Sequence, residues 1–110
     1  VTDAGTLTTT ITHTSGASTV IGNISSGKKV TSVTVNVTTA FDGSAPTLTV
    51  GDGSDNNRLQ EADDNDLKDV FAYESTPNFV YSSATDESIL VYFNADSSTT
   101  GTAVVTVTYA

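Results

Sequence analysis

Short runs of alternating apolar and polar residues cover most of this chain. In the first run, Thr6 to His13, Leu7 and Ile11 alternate with threonines, which is the period-2 pattern of a half-buried strand. The longest run, Val30 to Phe41, places valines on one face and Thr or Asn on the other. Further short runs that predict strands are Thr19 to Ile24, Thr47 to Val50, Phe79 to Ser82, Glu87 to Asn94 and Thr102 to Tyr109. The pattern therefore predicts strands along most of the sequence.

Glycine, serine, aspartate and proline separate these runs at spacings of roughly ten residues. This arrangement predicts an all-β fold, an antiparallel, jelly-roll-like β-sandwich of roughly seven to nine short strands. The length of 110 residues suits a single sandwich domain over residues 1–110.

The alternation fades between Gly53 and Asn78. At most one short helical turn is expected there, near residues 61–71, with Leu67, Val70 and Phe71 as apolar anchors at i, i+3 and i+4. The stretch Glu87 to Asn94 is apolar on both faces, which predicts a central, buried strand.

Composition supports β structure and restricts the partners. The chain has 21 Thr, and β-branched Thr favours a pleated, half-exposed surface. The net charge of −9 disfavours direct contact with nucleic acid or with an anionic membrane. The longest apolar run, Ile89 to Phe93, is five residues, far too short for a membrane span. There is no cysteine, so thiolate and disulfide chemistry are excluded.

Eight of the 13 acidic residues lie between Asp52 and Glu74. An EF-hand loop starting at Asp52 would need a glycine at its sixth position and a glutamate at its twelfth, but Asn57 and Asp63 stand there. A calcium site of another kind remains an alternative, with Asp52 and Asp55 as weak candidates.

The other interpretation of this stretch is a solvated loop with local ion pairs. The spacings of Asp55 to Arg58 and of Asp64 to Lys68 predict such pairs, each worth less than about 1 kcal/mol when exposed.

Catalytic patterns are weak throughout the chain. His13 is the only histidine, and no serine lies in a Gly-x-Ser-x-Gly elbow. Glycoside hydrolysis needs a carboxyl group with a raised pKa in a partly apolar cleft, whereas this acidic stretch is hydrated and the chain has no Trp. We expect no enzyme activity, no catalytic residue and no cofactor, and we interpret His13 as a structural or interface residue.

Three segments resemble small β-rich structural proteins of tailed bacteriophages. They are "VTVNVTTAFDGSAPTLTVGDGSDNNR" from Val33 to Arg58, "DLKDVFAYES" from Asp66 to Ser75, and "ILVYFNADSSTTGTAVVTVTY" from Ile89 to Tyr109. In proteins of that kind an "AFDG" turn leads into a "TLTVGD" strand and an acidic loop, and a final hairpin ends the chain.

The resemblance implies a capsid decoration (cement) protein on the outer surface of the virion, which binds the assembled lattice of major capsid protein. It also implies a homotrimer or another small homo-oligomer. Alternatives are a tail- or fibre-associated β domain, a carbohydrate-binding or adhesin-type module, and a subunit of an extracellular filament.

Two surfaces are the interface candidates. The first strand, through Thr6, Thr8, Thr10, Thr12 and His13, is expected to extend the sheet of a neighbour by β-addition. The acidic loop is expected to meet basic residues of the shell through Asp63, Asp64 and Asp66.

Overall fold

The chain forms two antiparallel β-sheets packed face to face. The computed structural model describes residues 5–82 and 86–110. In chain order the strands are β1 (Gly5–Thr12), β2 (Ser18–Ile24), β3 (Lys29–Thr39), β4 (Thr47–Asp52), β5 (Ala72–Ser75), β6 (Phe79–Val80), β7 (Glu87–Asn94) and β8 (Thr102–Tyr109). The predicted antiparallel sandwich is therefore confirmed, with eight strands in the described residues.

The strands divide between the sheets in an interleaved order. One sheet runs β1-β8-β3-β5, with β6 also paired to β3, and the other runs β2-β7-β4. Consecutive strands β1 and β2, β3 and β4, and β7 and β8 thus lie in opposite sheets, so the chain crosses the core repeatedly. The apolar strand β7 is central in its sheet, as its composition predicted.

Alternating side chains of the two sheets fill the space between them. Val33, Val35 and Val37 of β3 are fully buried, and they face inward as the period-2 pattern predicted. The other fully buried strand residues are Ile11, Ile24, Val30, Leu48, Val50, Ile89, Val91, Ala103, Val105 and Val107. The Phe41 and Phe93 rings pack at one end of this core with their centroids 5.3 Å apart.

The segment between β4 and β6 differs from its prediction. A 3-10 turn at Ala62–Asp64 is present, but no helical face follows it. Leu67 is buried as expected, whereas Val70 and Phe71 are exposed. The anchor prediction is wrong for these two because it required a continuous helix, and the chain instead extends towards β5, a strand that the sequence analysis did not predict.

One side of the sandwich is closed by a buried amide. The backbone of Gln60 pairs with Val50 of β4. The Gln60 N–H donates to the Val50 carbonyl oxygen, and the Val50 N–H donates to the Gln60 carbonyl oxygen, each with an N···O distance of 3.0 Å. Its side-chain Nε2 donates to the carbonyl oxygens of Val33 and Tyr73 in the other sheet, and Oε1 accepts from Asn65 Nδ2 at 2.8 Å. Gln60 therefore links the two sheets at the β4 and β5 edges.

The opposite side of the sandwich is formed by β1 and β2. Leu7 of β1 packs directly on Gly22 of β2, where an added Cβ would lie 2.9 Å from Leu7 Cδ2. Among the described strands, β1 pairs only with β8 and β2 only with β7. These two strands therefore present unpaired backbone edges on this side.

Candidate functional site

The acidic stretch begins with a buried carboxylate. Asp52, at the end of β4, is 1% exposed. Its Oδ1 accepts the backbone N–H groups of Ser54 and Asp55, both at 2.9 Å. Its Oδ2 accepts Arg58 Nε–H at 2.7 Å and the Tyr81 hydroxyl at 2.9 Å. A carboxylate has about four lone-pair positions, so these four donors fill them.

The electrostatics of this cluster favour the ionised carboxylate. Burial opposes ionisation, but the hydrogen bonds from Ser54, Tyr81, Asp55 and Arg58 outweigh it, so the pKa of Asp52 lies below its usual value. The Arg58 guanidinium lies 4.6 Å from the centroid of the Phe79 ring in a cation–π contact. The cluster thus connects β4 to β6 and has a structural role.

This geometry does not favour calcium at the two weak candidates. The Asp52 oxygens are occupied by protein donors, and Asp55 Oδ1 accepts the Asn57 N–H at 3.2 Å. No group of three or more His, Asp or Glu side chains is placed to hold a metal ion within residues 5–82 and 86–110.

The other acidic candidates lie on the surface. Asp63, Asp64 and Asp66 are all exposed, in and just after the 3-10 turn. Asp64 Oδ2 accepts the Glu61 N–H at 3.1 Å, and Asp66 Oδ1 accepts the Lys68 N–H at 3.0 Å. The backbone is therefore held locally while the carboxylates remain open to a partner.

The predicted local ion pairs are replaced by other contacts. Arg58 pairs with Asp52 rather than with Asp55. Lys68 Nζ donates to the carbonyl oxygen of Gly43, in the turn after β3, rather than to Asp64.

The β1 candidates divide by exposure. Thr6, Thr8 and Thr10 are exposed on the outer face of the sheet, and Thr12 and His13 are half-buried at its end. The strand lies at the edge of its sheet, as β-addition requires.

The structure does not bring the two candidate surfaces together. The acidic loop is beside β5, and β1 is at the other edge of the same sheet, with β8 and β3 between them. Three inter-strand spacings place the two edges about 14 Å apart. The two candidate surfaces of a single molecule are therefore separate.

Sequence reasoning missed one surface feature. Phe71 is 63% exposed and Val70 is 59% exposed, next to the acidic loop. A usable signal was present, since Phe71, Tyr73 and Ser75 alternate with Ala72 and Glu74 in the period of a strand.

Two further observations bear on function. A surface depression of about 380 Å³, open to solvent, is lined by residues that include Arg58, Glu61, Asp64 and Thr76. In the described part of the chain, no helix is long and apolar enough to span a bilayer.

Comparison with known proteins shows similarity in structure alone. No protein-family model matches the sequence, and no relative was found among curated proteins. A chain in the capsid asymmetric unit of cyanophage Pam1 has a TM-score of 0.73 and 19% identity, over 97% of this chain and 84% of that one. A chain in the acidic stable capsid structure of Helicobacter pylori bacteriophage KHP30 has a TM-score of 0.74 and 13% identity, over 96% of this chain and 86% of that one. The resemblance to small β-rich phage proteins is thus confirmed at the level of the fold.

Proposed function

We propose that this chain is a non-enzymatic structural protein of a phage virion, and that it acts as a capsid decoration (cement) protein. The observation that carries the proposal is the shared fold, which covers nearly the whole chain and most of a chain in each of two phage capsid structures. The proposal includes a single sandwich domain, no cofactor, and a position on the outer surface of the capsid.

The strand order supports a jelly roll as the architecture. A jelly roll is built from eight strands in two sheets through two Greek keys. The orders β1-β8-β3 and β2-β7-β4 fit such a pattern. The bridge between Val50 and Gln60 adds a minimal pairing beside β4, where a further strand of the second sheet would lie.

The two separate surfaces suit a protein that joins other subunits. In this proposal, the unpaired edge of β1 binds a neighbouring copy in a homotrimer or another small closed oligomer, since edge strands accept β-addition. The acidic loop with Asp63, Asp64 and Asp66 binds basic residues of the major capsid protein.

A mass-action argument explains how such binding stabilises a shell. A protein that binds the assembled lattice and not the free subunits shifts the equilibrium towards the lattice, by an amount that grows with its concentration. In this proposal the Gln60 hydrogen bonds between the two sheets hold their relative arrangement before binding, which limits the conformational entropy lost on binding.

The test uses shells of the encoding phage assembled without this protein. The purified chain should co-sediment saturably with expanded shells but not with unassembled major capsid protein, and decorated shells should disassemble at a higher temperature. Absence of co-sedimentation would contradict the decoration role. Electron microscopy of whole virions with labelled protein separates this result from the tail or fibre alternative.

A further inference from the structure

Two of the most exposed large apolar side chains, Val70 and Phe71, lie next to the acidic loop. We define the Phe71 patch as these two residues together with Tyr73, a half-buried side chain that packs against the core and against the Phe71 ring. Phe71 is 63% exposed and Val70 is 59% exposed, and the rings of Phe71 and Tyr73 pack with their centroids 5.3 Å apart. A phenylalanine left in water forgoes the favourable free energy of burial, so an exposed aromatic ring beside a charged loop is a candidate interaction site.

The patch is held in place by the sheet. The Phe71 carbonyl accepts the Val37 N–H of β3 at 2.9 Å, and Tyr73 pairs in register with Val35. The Tyr73 hydroxyl donates to the Asp69 carbonyl at 3.3 Å. The side chains are thus presented by a backbone that is already ordered, which reduces the entropy lost on binding.

Acidic residues are concentrated in the segment that carries the patch. Residues 61–74 contain six acidic side chains and one basic side chain, Lys68, whose ammonium contacts the Gly43 carbonyl. The pKa of the Tyr73 hydroxyl is raised, first by burial and then by the Asp69 and Asp66 carboxylates, in agreement with a negative environment at this side chain.

The charge determines which occupant fits. A second copy bound through the same surface would bring two acidic segments together, and like charges across an interface are unfavourable. Nucleic acids and anionic lipids are disfavoured for the same reason. The rings of Phe71 and Tyr73 are tilted by 58°, so they do not form the flat platform that a sugar would stack on.

We propose that the Phe71 patch is the apolar anchor of the interface with the shell, and that it enters an apolar pocket rimmed by Lys and Arg on the partner protein. This inference rests on the proposed function, because it names the chemistry of the partner surface for the acidic loop. Protein interfaces commonly concentrate their affinity in a central aromatic anchor surrounded by a polar rim. Here the carboxylates form the rim and guide association.

The test compares two substitutions of equal size on surfaces of equal exposure. Val70 and Val20 are each 59% exposed, and Val20 lies on β2 in the other sheet. Val70→Ser should weaken binding to undecorated shells about tenfold, and Phe71→Ser about 10- to 100-fold. Val20→Ser should bind like the unmodified chain, and Phe71→Tyr, which keeps the ring, should retain most of the affinity.

The dependence of binding on salt distinguishes the contribution of the apolar anchor from that of the charged rim. Raising the ionic strength screens the carboxylates, so overall binding should weaken. The ratio of affinities between the unmodified chain and Phe71→Ser should persist, because contact between apolar groups is not screened. Urea unfolding of each variant verifies folding, and the exposed positions of Val70 and Phe71 predict midpoints close to that of the unmodified chain.

The outcomes are distinguishable. If the unmodified chain binds shells and Phe71→Ser binds equally well, the anchor is disproved and the decoration role stands. Equal losses of shell affinity in Val20→Ser and Val70→Ser would also disprove the anchor. The loss would then follow from removing any exposed apolar side chain and not from the Phe71 patch. If the unmodified chain does not bind shells, both proposals fail. A third outcome is that the unmodified chain binds a glycan array, that Phe71→Ser loses this binding, and that both bind shells equally well. This result would disprove a protein pocket as the partner of the Phe71 patch and would indicate a sugar instead.

Discussion

Tyr81 donates its hydroxyl to Asp52 Oδ2 at 2.9 Å, and this contact connects the end of β4 to the segment after β6. Removing the hydroxyl with Tyr81→Phe should lower the free energy of unfolding by about 1 kcal/mol. Asp52→Asn removes the negative charge that accepts hydrogen bonds from four donors, and should lower the free energy of unfolding by about 2–4 kcal/mol. Urea unfolding measures both values.

Asp55→Asn is the matched control for Asp52→Asn. Asp55 carries the same side chain three residues along the chain and is half-buried. Its carboxylate accepts one 3.2 Å hydrogen bond, from the Asn57 N–H, so its change should stay within about 0.5 kcal/mol. Equal stability of the two variants would show that the buried cluster contributes nothing specific.

Acid should destabilise the turn after β3. Hydrogen bonds from the Thr99 hydroxyl and from the Thr99 and Thr100 N–H groups lower the pKa of Asp42 from 3.8 to about 2. Because the pKa is lower in the folded state, the stabilisation is fully present above pH 3.8 and is lost as the pH falls towards 2.

The comparison for this pH dependence is Asp42→Asn. Its unfolding free energy should fall less steeply than that of the unmodified chain between pH 3.8 and about 2. The residual slope comes from Asp52, whose pKa is also lowered in the folded state. Identical slopes measured by urea unfolding across this window would refute the assignment to Asp42.

Neutralising the acidic loop should weaken shell binding. A triple variant with Asn at Asp63, Asp64 and Asp66 keeps an acceptor oxygen at each position, so the local backbone hydrogen bonds persist. Loss of three rim charges should reduce affinity about tenfold at low salt and should make the salt dependence shallower. Quantitative co-sedimentation at several salt concentrations provides the measurement.

A second triple variant controls for net charge. Lys at the exposed positions Ser18, Ser25 and Thr47 raises the net charge by the same amount on other surfaces. It should bind shells nearly as the unmodified chain does. If both triple variants lose affinity alike, only the overall charge matters and the loop is not the contact.

Self-association should depend on the β1 edge. Thr8 of β1 and Thr106 of β8 are register partners on the same outer face, but only β1 is an edge strand. Thr8→Lys should therefore disrupt the oligomer, because edge lysines oppose strand addition, whereas Thr106→Lys should leave it intact. Sedimentation equilibrium measures the oligomeric state. A loss with Thr106→Lys alone would assign the contact to the face of the sheet instead.

The sequence by itself determined the class of fold and every strand except β5 (Ala72–Ser75). Alternation places Val33, Val35 and Val37 on one side of any extended chain, so the buried face of β3 is a local property that can be read without knowing its neighbours. The apolar character of both faces likewise identified β7 as central. The edge position of β1 was only an expectation, because pairing partners are not local.

Only the tertiary structure decided the polar contacts and the exposure of Phe71. Asp52 is buried because β6 brings Tyr81 to it, and Gln60 is buried because the two sheets meet beside it. Phe71 is exposed because Ala72–Ser75 joins the edge of a sheet rather than a helix. In each case the environment of the side chain is formed by residues distant in sequence. A local pattern carries no information about which distant segment packs beside it.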